Sequence, residues 1–241
     1  MTGRAAHRPT LVLLPGLLCD CTVWAAQAEA LRERVEVVIP DWGLIDSLPA
    51  MAEHLLAQVR TPTFALAGHS MGGRVALEVM RRAPQRVERL ALLDTGYKPL
   101  ASGSEGELER AGRMALLEVA QRQGMRAMAV QWARGMVHPR RLATPLFDAV
   151  VQMIGRSTPD VFEAQIHALL NRPDSTALLR AIACPTAVIV GRDDAWSRLP
   201  QHQAMHEAIA GSALHVIDDC GHMSTMEQPG AVTALLGRWL G

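Results

Sequence analysis

The amino-acid sequence predicts an α/β chain: a mainly parallel sheet covered by helices on both faces and interrupted once by a helical insertion. Three observations carry this. Short apolar runs rich in β-branched residues alternate with longer helical patterns along most of the chain, the signature of strands joined by crossover helices. The runs are nearly continuous rather than alternating, as strands buried on both faces require. The alternation fails once, between Tyr97 and Ala183, where amphipathic patterns succeed one another without a strand-like run.

Each element follows in order. Strands are expected at Thr10 to Leu14, Val35 to Pro40, Thr63 to Ala67, Val87 to Leu93, Thr186 to Val190 and Ala213 to Ile217. Helices are expected near Val23 to Arg34, Leu48 to Val59, Met71 to Arg82, Gln201 to Ala210 and Ala231 to Leu240, each able to supply a right-handed crossover. The insertion reads as a helical cap over one end of the sheet. Leu108, Ala111, Ala115 and Val119 trace one helical face, and Leu146, Val150 and Ile154 another, with Gly124, Gly135 and Gly155 at the breaks. Thr144-Pro145 and Thr158-Pro159 each place a capping residue before a proline suited to a first helical turn. The expected organisation is therefore a core of residues 1–96 and 184–241 with a cap of residues 97–183. A chain of 241 residues is long enough to bury one such core.

Lys plus Arg (24) balance Asp plus Glu (24), so no global field favours nucleic acid, an anionic membrane surface or a highly charged ligand. A small, largely uncharged molecule is the expected partner. Lys98 is the only lysine; the arginine excess reads as compositional bias rather than as an arginine-reading surface. The stretch Met1 to Pro9 is basic and runs into a strand without an apolar signal region. No apolar run nears the roughly 20 residues of a membrane-spanning helix, so a soluble, cytoplasmic protein is expected. Cys19, Cys21, Cys184 and Cys220 are too few for a disulfide framework, and reduced thiols are the default.

The most specific signal is Gly68-His69-Ser70-Met71-Gly72, a GxSxG pattern directly after one predicted strand and directly before a helix. A serine at such a turn sits in strained backbone, and glycines two residues to either side avoid collisions in the bend. Gly73 relaxes the crowding further. The following helix turns its free N–H groups toward the reacting centre. A glycine-rich phosphate loop would need a GK[ST] ending or a GxGxxG run, and neither is present.

With these residues in hand, the chain resembles the α/β-hydrolase superfamily, in the small, capped, cofactor-free branch of carboxylesterases, enol-lactonases and C–C bond hydrolases. Leu11-Val12-Leu13-Leu14-Pro15-Gly16 resembles the first strand and oxyanion loop, and Gly68 to Gly73 the nucleophile elbow. Gly191-Arg192-Asp193-Asp194 resembles the acid turn and Cys220-Gly221-His222 the histidine loop. Many relatives carry His-Gly where this chain has Pro15-Gly16; backbone donors remain available there.

The resemblance implies Ser70 as nucleophile, His222 as base and Asp194 as the acid that orients it, in the chain order Ser, Asp, His. Asp193 is the immediate rival, and Asp94 stands at the superfamily's alternative acid position. His69 should point away from Ser70 and serve packing or a local hydrogen bond. His54, His202, His206 and His215 read as surface or packing residues, whereas His138 and His167 lie in the cap. Glu227 is expected to help set the start of the final helix. The backbone N–H groups of Leu17 and Met71 would form the oxyanion hole. Cys19, Cys21, Cys220 and His222 fit structural zinc poorly, so no metal or cofactor is expected.

The implied reaction is acyl transfer to water on small to medium esters or lactones. Met114, Met125, Met128, Met136 and Met153 either line a permissive pocket or fill the cap core; Met128, Trp132 and Met136 are candidate substrate contacts. The same residues could serve an acyltransferase, a perhydrolase or a C–C bond hydrolase, since the motif does not choose the acceptor. An intact Ser70, Asp194 and His222 set argues against a non-catalytic binding relative.

Overall fold

The computed structural model describes residues 8–241, so all but the end of the basic stretch Met1 to Pro9 lies outside the described residues. Six strands form one sheet: β1 (Thr10–Leu14), β2 (Glu36–Val38), β3 (Phe64–His69), β4 (Val87–Leu93), β5 (Thr186–Gly191) and β6 (Ala213–Ile217). Their order is β2-β1-β3-β4-β5-β6, and every pairing is parallel, with Leu13 opposite Ala67, Ala67 opposite Ala91 and Val190 opposite Val216. The inner strands β1, β3 and β5 are buried throughout, which is why their sequences are continuous apolar runs. Replacing Leu66 at the centre by alanine would cost about 2–5 kcal/mol.

All six predicted strands are present. The second is shorter than the expected Val35 to Pro40, because the Val35 N–H bonds Leu31 O at the end of a helix and Pro40 has no N–H to pair. The third runs on to His69, with Gly68 and His69 opposite Leu92 and Leu93.

Helices α1 (Ala25–Leu31), α2 (Leu48–Gln58) and α3 (Met71–Arg82) provide the first crossovers. The expected Val23 to Arg34 helix is split: Cys21–Trp24 forms a 3-10 turn, with the Asp20 carboxylate accepting from Thr22 N, before α1 begins. The strand order steps outward from β1 to β2 and then reverses to β3. With right-handed connections, α1 must therefore lie on one face and α2 and α3 on the other. After β6 come the short α10 (Ser224–Glu227) and α11 (Pro229–Leu240), and α11 packs on α1 while α2 packs on α3. The reversal between β1 and β3 leaves a crevice at their carboxyl ends, where open α/β sheets bind ligands.

Between β4 and β5 the chain forms α4 (Ser104–Gln123), α5 (Met125–Ala133), α6 (Pro145–Gly155), α7 (Pro159–Leu170) and α8 (Thr176–Leu179); α9 (Leu199–Ala208) follows β5. Thr144 and Thr158 occupy the expected caps before Pro145 and Pro159, and the Thr158 hydroxyl accepts from Val161 N at 3.3 Å. Val150 and Ile154 are fully buried, as expected, whereas Leu146 at the start of the helix is half-buried. The α4 face differs from the expected one: Leu108, Ala111 and Ala115 are exposed, while Glu109, Arg113, Leu116, Leu117 and Ala120 face the protein. The apolar stripe misleads because polar side chains of α4 face a cavity rather than a dry core. Among the described residues no helix is long and apolar enough to cross a membrane.

Candidate active site

Ser70 leaves β3 with φ 55° and ψ −118°, a left-handed conformation that costs a side-chain-bearing residue on the order of 1–3 kcal/mol. Neighbours fix the turn. Ser70 N donates to Leu93 O at 2.9 Å and the Thr95 hydroxyl donates to Ser70 O at 2.6 Å. A Cβ on Gly68 would overlap the Gly72 carbonyl, and one on Gly72 the Leu14 carbonyl. Gly72 is thus required by the approach of the turn to β1, and Gly68 by the fold of the turn back on the start of α3.

The Ser70 hydroxyl lies 2.8 Å from His222 Nε2, and His222 Nδ1 lies 2.8 Å from Asp194 Oδ2. Asp194 Oδ1 accepts from Trp196 N at 2.8 Å and Ser197 N at 2.9 Å, which locks the carboxylate. Burial alone would raise the Asp194 pKa, but His222 and these donors hold it below the usual range. Burial likewise opposes protonation of His222, yet the adjoining Asp194 carboxylate outweighs it and leaves the imidazole pKa raised. The structure brings Ser70, His222 and Asp194 together and leaves the rival carboxylates aside.

Asp193 points outward, its side chain 45 % exposed, with His138 Nε2 at 3.6 Å. Asp94 is buried behind the site, where it accepts from Gly191 N at 2.8 Å and from the Ser224 hydroxyl. It cross-links the ends of β4 and β5 to α10, and burial, then the Asp194 charge, push its pKa up to about 8. His69 turns away from the serine hydroxyl and bonds His222 O at 2.8 Å through Nε2. Burial, then His222, lower its pKa to about 3, so it is neutral and Nε2 is the donor. His202 is buried and accepts from Thr95 N at 3.0 Å.

Met71 opens α3, so its N–H has no partner within the helix. Leu17 follows β1, and both residues line the cavity that holds Ser70. The segment carrying Leu17 is fastened on three sides. The Trp42 indole donates to Pro15 O at 3.1 Å, Leu18 N donates to Gln165 Oε1 of α7 at 2.8 Å, and Arg156 pairs with Asp20 at 2.6 Å. Leu18 itself has φ 57°.

The cavity measures about 490 Å³, within the range of small-molecule sites. Trp132 and Met136 line it, as expected. Met128 does not: it is fully buried one turn earlier in α5, which packs between α4 and α6. Met125 and Met153 also fill the interior and Met114 is exposed, so the methionines serve cap packing more than the cavity. Trp196 was not legible as a site residue. It stacks on Trp132 (centroids 5.3 Å apart, planes at 23°) and leans on His222 at 5.0 Å. Its sequence signal is only its place two residues after Asp194. Arg74, Arg113, Arg172 and Glu109 also line the cavity, against the expectation drawn from the balanced total charge.

The sequence and the fold are matched by known proteins: residues 11–235 fit the model of the alpha/beta hydrolase family, and the chain belongs to that family. It is similar to a thermophilic esterase from Thermogutta terrifontis (31% identity, TM-score 0.84, covering 97% of this chain and 90% of that one). The enol-lactonase from Burkholderia xenovorans LB400 shares the fold at 22% identity (TM-score 0.84; 98% and 93% covered). A 2-hydroxy-6-oxononadienedioate/2-hydroxy-6-oxononatrienedioate hydrolase of Escherichia coli (strain K12) is 24% identical over 96% of this chain and 86% of its own. The chain is a hydrolase.

Proposed function

We propose that the chain hydrolyses esters or lactones of small to medium acyl groups through a covalent acyl-serine. The observation that carries this reading is the unbroken path from Asp194 through His222 to Ser70, two contacts of 2.8 Å, ending on a strained serine at the floor of a cavity. Ser70 Oγ attacks the carbonyl carbon while His222 Nε2 takes its proton. Asp194 accepts from Nδ1–H, fixes the tautomer and stabilises the imidazolium. The oxyanion is received by the N–H groups of Met71 and Leu17, each donor of this kind being worth about 10²–10³ in turnover. His222 then protonates the leaving alcohol and activates water to release the acid. Residues 97–183 act as the cap that walls the reaction from solvent.

Fluorophosphonate labelling and a panel of acyl esters and lactones test the reading. Ser70 should carry the label, Ser70→Ala should lose it, and His222→Ala should cut turnover by roughly 10⁴ to 10⁶ with the fold intact. Labelling that persists in Ser70→Ala, or a panel without turnover, defeats it.

A further inference from the structure

Three guanidinium groups face the cavity that holds Ser70, and one carboxylate faces them. Glu109 is already fully engaged. Its Oε1 accepts from Arg113 Nε and Nη2 at 3.0 and 2.9 Å and from Arg172 Nη1 at 2.7 Å, and its Oε2 accepts from Arg172 Nη2 at 2.7 Å. Burial would raise the Glu109 pKa, but Arg172 and Arg113 bring it down to about 2.

Arg74 is differently placed. Among the described residues its single hydrogen bond runs from Nη1 to Lys98 O at 2.8 Å, a carbonyl that also accepts from Arg172 Nε at 3.3 Å. Two cations therefore crowd one neutral oxygen. Burial, then repulsion by Arg172, push the Arg74 guanidinium down to about 9. Arg74 is half-buried at the cavity wall, and a partly desolvated cation beside another cation is favoured by an anion that completes the set. Glu109 acts on Arg74 through space only, its oxygens being taken by Arg113 and Arg172; among the described residues no carboxylate bonds Arg74, and the cavity is open to a ligand.

Arg74 is also close to the chemistry. It lies four residues after Ser70 on the same helix, about 6 Å along the axis, and helical side chains lean back toward the amino terminus. Its Nη2 and Gln201 Nε2 fill the space over Gly96, next to Thr95, whose hydroxyl bonds Ser70 O. A planar guanidinium suits a carboxylate, which it can grip through two N–H groups.

We propose that the substrate carries a carboxylate besides its scissile ester, and that Arg74, supported by Arg172 and Arg113, binds it. This rests on the reading of Ser70 as nucleophile and names the substrate class of that same site. The chain's neutral total charge conceals a local excess of two positive charges at the cavity. Arg172 alone could be explained as a fastener, since it also bonds Leu169 O and Pro99 O. Arg74 has no such set of partners.

The test compares kcat/KM for matched substrates. In one arm, mono-p-nitrophenyl esters of adipic, pimelic and suberic acids are set against their ω-methyl esters. In the other, the carboxylate sits on the leaving group, as in 4-carboxyphenyl butyrate and its methyl ester. Wild-type protein should prefer the anion by roughly 10- to 100-fold in at least one arm, the worth of a hydrogen-bonded charge. Arg74→Met should reduce that ratio about tenfold or more, and Arg74→Lys should keep part of it. The ratio does not depend on how much of a variant is folded. A ratio near one in both arms, or one unchanged in Arg74→Met, overturns the proposal while leaving the hydrolase reading intact. If no ester is turned over, the hydrolase reading fails. The anion site then stands only if suberate monomethyl ester, and not the dimethyl ester, changes the fluorescence of Trp132 and Trp196 in wild-type protein but not in Arg74→Met.

Discussion

Glu227 brackets His222: its Oε1 accepts from Gly221 N and Met223 N, each at 3.1 Å, on the two sides of the histidine. Its Oε2 accepts from His138 N at 2.8 Å, and His222 N donates to Met136 O at 2.7 Å. The loop that bears the base is thereby bound to the segment after α5. Glu227 closes α10 rather than opening the final helix, so its role differs from the one its sequence position suggested.

Glu227→Gln is expected to lower kcat about 10- to 100-fold with little change in KM, and to lower the melting temperature. The amide turns a donor toward backbone N–H groups, and each buried group left unpaired costs about 1–3 kcal/mol. Steady-state kinetics beside thermal melts check this; a raised KM with kcat unchanged would place Glu227 in substrate binding instead.

The raised His222 pKa sets the pH dependence. The base works only when neutral, so kcat/KM should fall on acidification through a value above the ordinary imidazole 6.5. Asp194→Asn removes the carboxylate that raises it. The acid limb should then move to lower pH, and turnover should drop on the order of 10⁴. Asp193→Asn should leave both nearly unchanged. An acid limb that stays put in Asp194→Asn would show that another group titrates.

Asp94 predicts a stability effect of opposite location. Its folded pKa, about 8, lies above the ordinary carboxylate value of 3.8, so its contribution is full below the lower value and is lost as pH rises through the higher one. Wild-type protein should lose stability as the pH rises from about 4 to about 8, with little further loss above that. Asp94→Asn keeps an acceptor for Gly191 N and offers Ser224 an N–H, so its denaturation midpoint should change less across that window. Activity should stay within a few-fold of wild type; a loss approaching that of Asp194→Asn would make Asp94 the acid.

Gln165→Leu leaves Leu18 N without its acceptor while preserving the bulk of the side chain. The adjoining Leu17 N–H should lose its aim, and kcat should fall about tenfold with KM little changed, a fraction of the value of a full oxyanion donor. Unaltered kcat in a stably folded variant would remove Leu17 from the proposed oxyanion hole.

The features legible in the sequence were those whose physics is local. The inner strands announce themselves by composition, and the requirement for Gly68 follows from one tight bend. Ser70, Asp194 and His222 were found because each stands next to a strand end in a recognisable order. The grip of Glu227 could not be read, since it depends on His138 arriving from 89 positions away. Arg74, Arg113 and Arg172 are likewise scattered along the chain and converge only once α3, α4 and the end of α7 are packed. Met128 and Trp132 look equivalent at helical spacing, and only the neighbouring helices decide which one meets the cavity.

The bonds from Gln165 to Leu18 and from Arg156 to Asp20 make the protein an interlock. Helices α6 and α7 cannot swing off the sheet without dragging the segment after β1 out of shape. On the reading proposed above, a ligand that forced those helices aside would also displace the Leu17 N–H meant to receive the negative charge.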